Sequence, residues 1–385
     1  MDTEEKINAT RLGLKYVFNI RLSIIMFYYI VWPFLLVFSY ILNNWPTSFP
    51  RNQNQNPDMF WSAILIAILF AVTSLKKSDK DQVLSRDQTN EWKGFMQIAF
   101  ILYHYYRATY VYNEIRVFVT CYVWMTGFGN YLYFTRKKDF SLKRIVTTLI
   151  RINLLTLGLM LVNQTSMMLY YVVPLHTIAF GFVYMTCWFP HQKLALCGAL
   201  IFLVLLFEVI KPHWGNEIEF RFGLDKYSAW WGMVCAYGYK KIKHDWKTCL
   251  LGIFMLLGWF CGQMGTDKYE YNRWHPYISI IPIVGYLLVR NCHPILRRTH
   301  SSAMAWVGQL TLETYVLQFH IFMCHNVQHI IVFFPEFPVI NFLVVGALFM
   351  GVSWIAREAT INIQTYVSKK MEHKYTQVDT KEPHV

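Results

Sequence analysis

Several ionisable side chains lie inside long apolar stretches of this sequence, where they could do acid–base chemistry. His104 and Arg107 are three residues apart and share one face of a helix, as do Glu313 and His320 at a spacing of seven. Such groups at membrane depth cost at least about 2.5–3.5 kcal/mol on insertion scales, so they are usually functional. A histidine held by a carboxylate or an arginine is a natural general base, and we predict that role for His104. His176 stands alone and is more readily explained as an interhelical hydrogen-bond partner.

A group of charged residues precedes the apolar stretch that contains this histidine. It occupies residues 84–94 and includes Arg86 and Lys93. One interpretation is the amphipathic start of a helix, with Thr89 or Asn90 as its capping residue. The alternative is that the cations hold the phosphates of a cytosolic cofactor. The sequence has no glycine-rich phosphate loop, so it does not predict a nucleotide-binding fold.

The elements that must position these residues are membrane-spanning helices. Of the 385 residues, 55% are hydrophobic and only 15% are charged, whereas a soluble domain carries about 25% charge. This composition excludes a soluble enzyme, a disordered regulator and a disulfide scaffold, and it predicts an all-α, polytopic membrane helix bundle of about twelve spans. The candidate spans are residues 23–42, 59–75, 94–112, 117–134, 145–162, 167–188, 194–210, 228–239, 248–264, 276–289, 303–326 and 338–356.

The distribution of cations predicts the orientation of these spans. With a cytosolic N-terminus, 27 of the 36 Lys and Arg residues lie in the cytosolic segments and 7 in the opposite loops. This is a strong positive-inside pattern and predicts that both termini are cytosolic. The net charge of +13 is therefore a topology signal and not a nucleic-acid footprint. We predict a cytosolic segment 1–22, a membrane domain 23–356 and a flexible cytosolic tail 357–385.

The remaining polar signals are weaker. The eight cysteines are scattered, most of them within spans and without a CxxC pair, so we expect neither a metal site nor disulfides. Asn163 begins a possible glycosylation sequon on a turn predicted to lie on the side opposite the cytosol.

Taken together, these stretches resemble one family, the multi-spanning glycan O-acetyltransferases. Its representatives are the fungal capsule O-acetylation protein, the plant reduced wall acetylation proteins and the membrane domain of vertebrate sialate O-acetyltransferase. The similarity covers most of the chain, from about residue 73 to residue 354, and the plant branch is the most similar. The segments that carry it include SLKK (74–77), RDQT (86–89), EWKG (91–94), YHY (103–105), YVWMTGFGN (122–130), KDFSL (138–142), GLD (223–225), HPY (275–277), TLETY (311–315) and QFHI (318–321).

A more distant similarity is to bacterial type-3 acyltransferases. In that group a basic residue and a glycine open the first family helix, and a catalytic histidine follows eleven residues after the basic one. Lys93, Gly94 and His104 keep this spacing.

The resemblance implies O-acetylation of luminal glycans from cytosolic acetyl-CoA, in the Golgi membrane or alternatively that of the endoplasmic reticulum. His104 would be the general base or transient acetyl acceptor, with Glu313 or Glu91 orienting it. The thioester oxyanion would be stabilised by Tyr103, Asn153 or Gln318. The residues predicted to hold the cofactor are Arg86, Lys93, Arg151, Asn153 and Arg290. The residues predicted on the acceptor side are His176, Arg221, Asp225, Trp274, Gln318 and His320.

One departure from the family leaves alternatives open. Fungal and vertebrate relatives carry a luminal esterase-like hydrolase domain, and the loops of this sequence leave no room for one. The final transfer to sugar is then made either by this chain or by a separate luminal esterase-like O-acetyltransferase. The other expected partners are acetyl-CoA, the glycan or polysaccharide acceptor and membrane lipid, with no nucleic acid. A transporter that supplies acetyl-CoA or acetyl equivalents to the lumen fits buried charges equally well. A non-catalytic scaffold is the third possibility.

Overall fold

The computed structural model describes residues 27–78, 81–211, 215–241 and 245–379. The predicted segment 1–22 lies outside the described residues. The described chain is a bundle of helices, as the apolar stretches predicted. The helices are α1 (Phe27–Asn43), α2 (Pro57–Thr73), α3 (Arg86–Tyr105), α4 (Tyr112–Lys137), α5 (Leu142–Asn163), α6 (Val172–Trp188), α7 (Gln192–Val204), α8 (Asn216–Gly223), α9 (Ser228–Gly238), α10 (Trp246–Gln263), α11 (Lys268–Ile278), α12 (Ile280–Asn291), α13 (Pro294–Arg298), α14 (Ser302–Gln309), α15 (Thr311–Leu317) and α16 (Pro338–Asp379).

Two small antiparallel sheets lie at opposite ends of α2. One pairs β2 (Leu75–Lys77) with β3 (Thr299–Ser301) and joins two segments that the sequence placed on the cytosolic side. The other sheet contains β1 (Ser48–Pro50), β4 (Met323–Cys324) and β5 (His329–Ile331). Its strand order is β1-β5-β4, and it joins two segments predicted on the luminal side. The fold therefore groups these segments as the cation pattern predicted.

Glycines allow the central helices to pack with their backbones in contact. A Cβ atom on Gly94 of α3 would overlap the carbonyl oxygen of Met304 in α14, and one on Gly308 would overlap that of Asn90. Helices within a membrane gain little from the hydrophobic effect, so close backbone approach through small residues is their common means of association. The α3–α14 contact fixes the position of the helix that carries His104.

Two predicted spans are interrupted. Residues 303–326 divide into α14, α15, a π-helical turn Gln318–Phe322 and then β4. The predicted span 276–289 begins in the last turn of α11 and continues in α12, and the two helices meet at Ser279. The helix that contains the last predicted span is longer than that span, because α16 continues to Asp379.

Several helices of the bundle are long and apolar enough, or nearly so, to cross a membrane. Among the described residues, three helices are long and apolar enough to cross a membrane by themselves, namely Leu142–Asn163, Gln192–Ile210 and Pro338–Glu372. Others, such as α2 and α6, are apolar but shorter. The chain is a multi-pass membrane protein, and the number of about twelve spans stays a prediction.

Candidate active site

Helix α3 carries a stripe of polar residues between the two ends of the bundle. The helix begins with a capping box, in which the Ser85 hydroxyl accepts a hydrogen bond from the Gln88 amide at 3.3 Å. Residues 86–94 are therefore the first turns of the helix, and the cap is Ser85, not Thr89 or Asn90. Lys93, Gln97 and His104 are spaced by four and seven residues along this helix and therefore lie on one face.

The first of two cavities along this stripe is the Lys93 cavity, of about 370 Å³. Its polar lining includes Lys93, Gln97, Arg151 and His176. The Gln97 side chain is fully buried, and its carbonyl oxygen accepts a hydrogen bond from the Tyr122 hydroxyl at 3.2 Å. Its Nε2 has no hydrogen-bond partner among the described residues. An amide donor at this cavity is therefore available to a bound ligand.

The second is the His104 cavity, of about 340 Å³. The His104 ring lies at the end of α3 and packs edge-on against Phe100 and Phe319, with ring centroids 4.6 and 5.9 Å away. The cavity is also lined by the guanidinium-bearing side chains of Arg51, Arg107, Arg116 and Arg221. No aspartate or glutamate belongs to its lining within the described part of the chain.

The two cavities share a wall. Phe100, Val119 and Tyr315 line both of them. The Phe100 and Tyr315 rings lie 5.8 Å apart between centroids, and the buried Tyr315 hydroxyl has no partner among the described residues. Lys93 and His104 are eleven residues apart on α3, which corresponds to roughly 16 Å along the helix axis. These three side chains thus form a partition between two cavities that lie at different positions along α3.

The carboxylates do not lie where the sequence placed them. Glu313 accepts a hydrogen bond from Arg151 at 2.6 Å and lines neither cavity. Glu91 accepts hydrogen bonds from Arg290 at 2.7 Å and from the Ser301 amide at 2.9 Å. The prediction that one of them orients His104 is therefore wrong, because each is already paired with an arginine elsewhere in the bundle.

Only some of the residues predicted to hold the cofactor lie at a cavity. Lys93 and Arg151 line the Lys93 cavity. Arg290, in contrast, donates to the Leu296 and Thr299 carbonyls as well as to Glu91, so it holds the connection around α13. Asn153 exchanges hydrogen bonds with Thr177 at 3.0 Å and joins α5 to α6. Arg86 is exposed on the first turn of α3.

The predicted acceptor residues are also scattered. Arg221 lines the His104 cavity, over the Tyr171 ring at 4.5 Å. His176 lies in the other cavity, hydrogen-bonded to the Thr126 hydroxyl at 2.6 Å. Asp225 is buried and paired with Arg116, where it holds a residue of the His104 cavity in place. The other three lie outside both cavities.

Local contacts explain why those three are absent from the site. Trp274 is 62% exposed on the outer face of α11. Gln318 donates to the Tyr315 carbonyl at 3.0 Å, and His320 is turned toward the Tyr170 hydroxyl by the π-helical turn. The predicted glycosylation residue, Asn163, is buried and donates to Ser39 at 3.1 Å, so the fold does not present this sequon for glycosylation.

The sequence reasoning did not identify Gln97, Tyr315 or Arg51 as site residues. Its spacing could have identified Gln97, which lies four residues after Lys93 and seven before His104 and therefore on the same helix face. No sequence pattern could have identified Arg51. It reaches the cavity because its backbone amide donates to the Gln328 carbonyl at 2.9 Å, beside the pairing of β1 with β5.

Comparison with known proteins shows similarity to a family of membrane acyltransferases and to a curated O-acetyltransferase. The family described as the 10 TM acyl transferase domain found in Cas1p matches residues 3–212 and 200–378. The N-acetylneuraminate (7)9-O-acetyltransferase of Danio rerio is 30% identical over 350 residues. That alignment covers 76% of this chain and 44% of the relative, so the chain spans less than half of the relative's length. No solved structure matches.

The family match covers nearly the whole chain, including both cavities and all of α3. It also agrees with the resemblance seen in the sequence segments around Lys93, His104 and Glu313. The family description gives ten spans, whereas the apolar stretches predicted about twelve. The chain therefore belongs to the membrane acyltransferase family defined by the 10 TM domain of Cas1p.

Proposed function

We propose that this protein is a membrane O-acetyltransferase that transfers acetyl from cytosolic acetyl-CoA to the hydroxyl of a luminal glycan or polysaccharide. The observation that carries the proposal is the pair of cavities that meet at Phe100, Val119 and Tyr315, with Lys93 on one side and His104 on the other. A reaction whose donor and acceptor come from opposite sides of a membrane needs two such openings. The proposed location is the Golgi membrane, with the endoplasmic reticulum as the alternative.

The Lys93 cavity is the proposed donor side. Lys93 lines this cavity and has no ion-pair partner among the described residues, and Arg86 lies two turns earlier, at the start of α3. These two cations would hold the phosphates of acetyl-CoA, while its thioester lies deeper, next to Gln97. The unpartnered Nε2 of Gln97 would donate to the thioester oxygen as negative charge develops there.

His104 is the proposed general base at the partition. The acceptor hydroxyl oxygen attacks the acetyl carbonyl carbon, and its proton passes to the imidazole. The carbon–sulfur bond then breaks, and the CoA thiolate leaves and takes up the proton that the imidazolium gives back, which yields CoA-SH and neutral His104. The products are the O-acetyl ester and free CoA, so atoms and charge balance. If a partner luminal transferase completes the reaction, the first acceptor hydroxyl belongs to that partner.

The surroundings of His104 support a base without a carboxylate. The ring packs against Phe100 and Phe319 and shares its cavity with four arginines and no carboxylate among the described residues. A neutral imidazole keeps one ring nitrogen with the lone pair that a base requires. The sequence hypothesis of a His–Glu pair is replaced by a histidine among arginines and aromatic rings.

The substitution His104→Gln tests this proposal. We expect it to abolish acetylation of glycans in cells that lack the native protein, with an unchanged amount of protein in the membrane. The matched control is His293→Gln, an exposed histidine at the other end of the bundle, which should retain full activity. Normal glycan acetylation in the His104→Gln variant, measured as alkali-labile acetate, would overturn the proposal.

A further inference from the structure

The turn between β4 and β5 has an unusual backbone. Three consecutive residues, His325, Asn326 and Val327, have positive φ values of 50°, 54° and 73°. The Gln328 amide donates to the His325 carbonyl at 3.3 Å, which leaves the two residues between them at the centre of a hairpin turn. Positive φ at both central residues is the pattern of a type I′ turn, in which asparagine followed by glycine is preferred. Val327 thus occupies the position at which glycine is preferred.

Valine is an unfavourable residue at this position. A β-branched side chain at positive φ is a genuine outlier, because its Cβ lies too close to the backbone in the left-handed region. Of the non-glycine residues with positive φ in the described ranges, Val327 alone is β-branched. Strained residues of this kind concentrate at active sites and at segments that hold ligands. We therefore expect the valine side chain to have a role that glycine could not fill.

Contacts on both sides hold the turn in this conformation. At the end of α1, the Asn43 carbonyl accepts a hydrogen bond from the His325 amide at 2.9 Å, and its side-chain Oδ1 accepts one from the Asn326 amide at 3.4 Å. On the other side, the Arg51 amide donates to the Gln328 carbonyl at 2.9 Å. Asn43 is itself buried. The surrounding structure therefore imposes the strained backbone, as such outliers require.

Val327 lies at the mouth of the His104 cavity. It belongs to the lining of that cavity and packs against the buried apolar core. Its two neighbours in the chain, Asn326 and Gln328, are exposed. A lining residue between two exposed residues lies where the cavity meets the surface. Thr109, which follows α3, also lines the cavity and is exposed, so the opening lies at the end of α3 that carries His104.

The proposed reaction requires this mouth to be closed to water. In an open cavity, a water oxygen could replace the sugar hydroxyl and attack the acetyl carbonyl carbon, with its proton passing to His104. The carbon–sulfur bond would break, the thiolate would take the proton back from the imidazolium, and the products would be acetic acid and CoA-SH. Enzymes prevent such side reactions by closing their active sites to water.

We propose that Val327 is a specificity-determining residue, which closes the mouth of the His104 cavity to water so that acetyl is transferred and not hydrolysed. The inference rests on the proposed function, since water and the acceptor would compete for the same acetyl group. The isopropyl group supplies apolar volume at the mouth that glycine would not. Because the turn is strained, moving it aside for an entering sugar costs less than moving a relaxed hairpin would.

Hydrolysis of acetyl-CoA in the absence of any acceptor tests the inference. Purified full-length protein in lipid nanodiscs is given acetyl-CoA labelled on the acetyl group, and free labelled acetate is measured over time. The variant Val327→Gly should hydrolyse acetyl-CoA at least about tenfold faster than the native protein. Val327→Ala, which removes two methyl groups and keeps the strain, should give a smaller increase. Addition of His104→Gln to Val327→Gly should abolish the increase, because the water is activated by the same base.

Stability separates this role from simple packing. Glycine relieves the left-handed strain, so Val327→Gly should have a Tm no lower than that of the native protein, although it loses a partly buried side chain. The matched control is Gln164→Gly, at an exposed position with a φ of 51° at the end of α5 and outside both cavities. It should leave the hydrolysis rate unchanged. A lower Tm with unchanged hydrolysis in Val327→Gly would assign the residue to packing alone and overturn the inference.

Thiol labelling tests the closure without turnover. The substitution Ile115→Cys places a reporter at a residue that is 5% exposed and lines the His104 cavity but not the Lys93 cavity. An anionic methanethiosulfonate is the probe, and mass spectrometry of the peptide that contains residue 115 separates the reporter from the native cysteines. Labelling should be at least about fivefold faster when Val327→Gly is added.

The two measurements distinguish this inference from the proposed function. Faster labelling in Val327→Gly, in a protein that never turns over acetyl-CoA, would retain the closure and reject the proposed function. Unchanged labelling and unchanged hydrolysis in Val327→Gly, in a protein that acetylates glycans, would reject the closure and retain the proposed function.

Discussion

At the residue scale, His104 is unusual for a proposed general base because no carboxylate contacts it among the described residues. Its neighbours are aromatic rings and arginines, whereas the two carboxylates predicted to orient it are bound to Arg151 and Arg290. The sequence identified His104 as an ionisable residue inside an apolar stretch, and the resemblance to bacterial type-3 acyltransferases linked it to Lys93, eleven residues earlier. It could not identify the partners of the carboxylates, since those contacts join helices that are far apart in the chain.

Gln97 gives a prediction that separates chemistry from binding. The substitution Gln97→Leu removes the unpartnered donor but keeps the side-chain volume, and we expect kcat to fall by about 10²–10³ with little change in KM for acetyl-CoA. Steady-state kinetics on purified protein give both constants. Gln55→Leu, at an exposed position, should leave them unchanged. If kcat in Gln97→Leu equals that of the native protein, Gln97 does not stabilise the oxyanion.

The Arg151–Glu313 pair predicts an asymmetry in stability. Glu313 is fully buried, whereas the Arg151 side chain is 23% exposed. Removing Arg151 leaves a buried, unpaired carboxylate at a cost of about 3–5 kcal/mol, while Glu313→Gln leaves an arginine that can reach solvent. Arg151→Leu should therefore lower the Tm in detergent more than Glu313→Gln. Equal melting temperatures, or the opposite order, would show that the pair is not buried as described.

At the element scale, the α3–α14 contact determines where the polar stripe lies. The stripe crosses the bundle because α3 is held against α14 through Gly94 and Gly308, with no side chain between the backbones. The apolar pattern predicted both helices. It did not predict that α14 stops at Gln309 and that α15 and a π-helical turn follow, because hydropathy does not register where a helix changes its hydrogen-bond pattern. That irregular segment places Tyr315 in the partition and turns His320 away from it.

The glycine contact can be tested directly. The substitution Gly308→Ala adds a methyl group that would overlap the Asn90 carbonyl, and a backbone group cannot move aside as a side chain can. We expect a loss of at least about 1–3 kcal/mol, seen as a Tm lower by several degrees, and reduced activity because α3 is displaced. The control is Gly129→Ala in α4, where the added Cβ meets nothing within 4 Å. A native Tm for Gly308→Ala would contradict the close packing.

At the scale of the whole molecule, the two ends of the bundle have different roles in this account. The cation pattern predicted which segments share an end, and the two small sheets join segments within those groups. Charge distribution is readable from sequence because it depends only on which loops carry Lys and Arg. The shared wall of the two cavities could not be predicted from the sequence, because Phe100, Val119 and Tyr315 come from three separate helices.

The central claim is that acetyl crosses this partition while CoA does not. The most direct test uses purified protein in sealed liposomes, oriented with the β2–β3 end outward, and acetyl-CoA labelled separately on the acetyl group and on CoA. A sugar acceptor is enclosed in the lumen. The account predicts acetyl label esterified to the enclosed sugar, with all CoA label outside, and neither in the His104→Gln variant. Entry of both labels together would contradict it and would identify the protein as a transporter of acetyl-CoA.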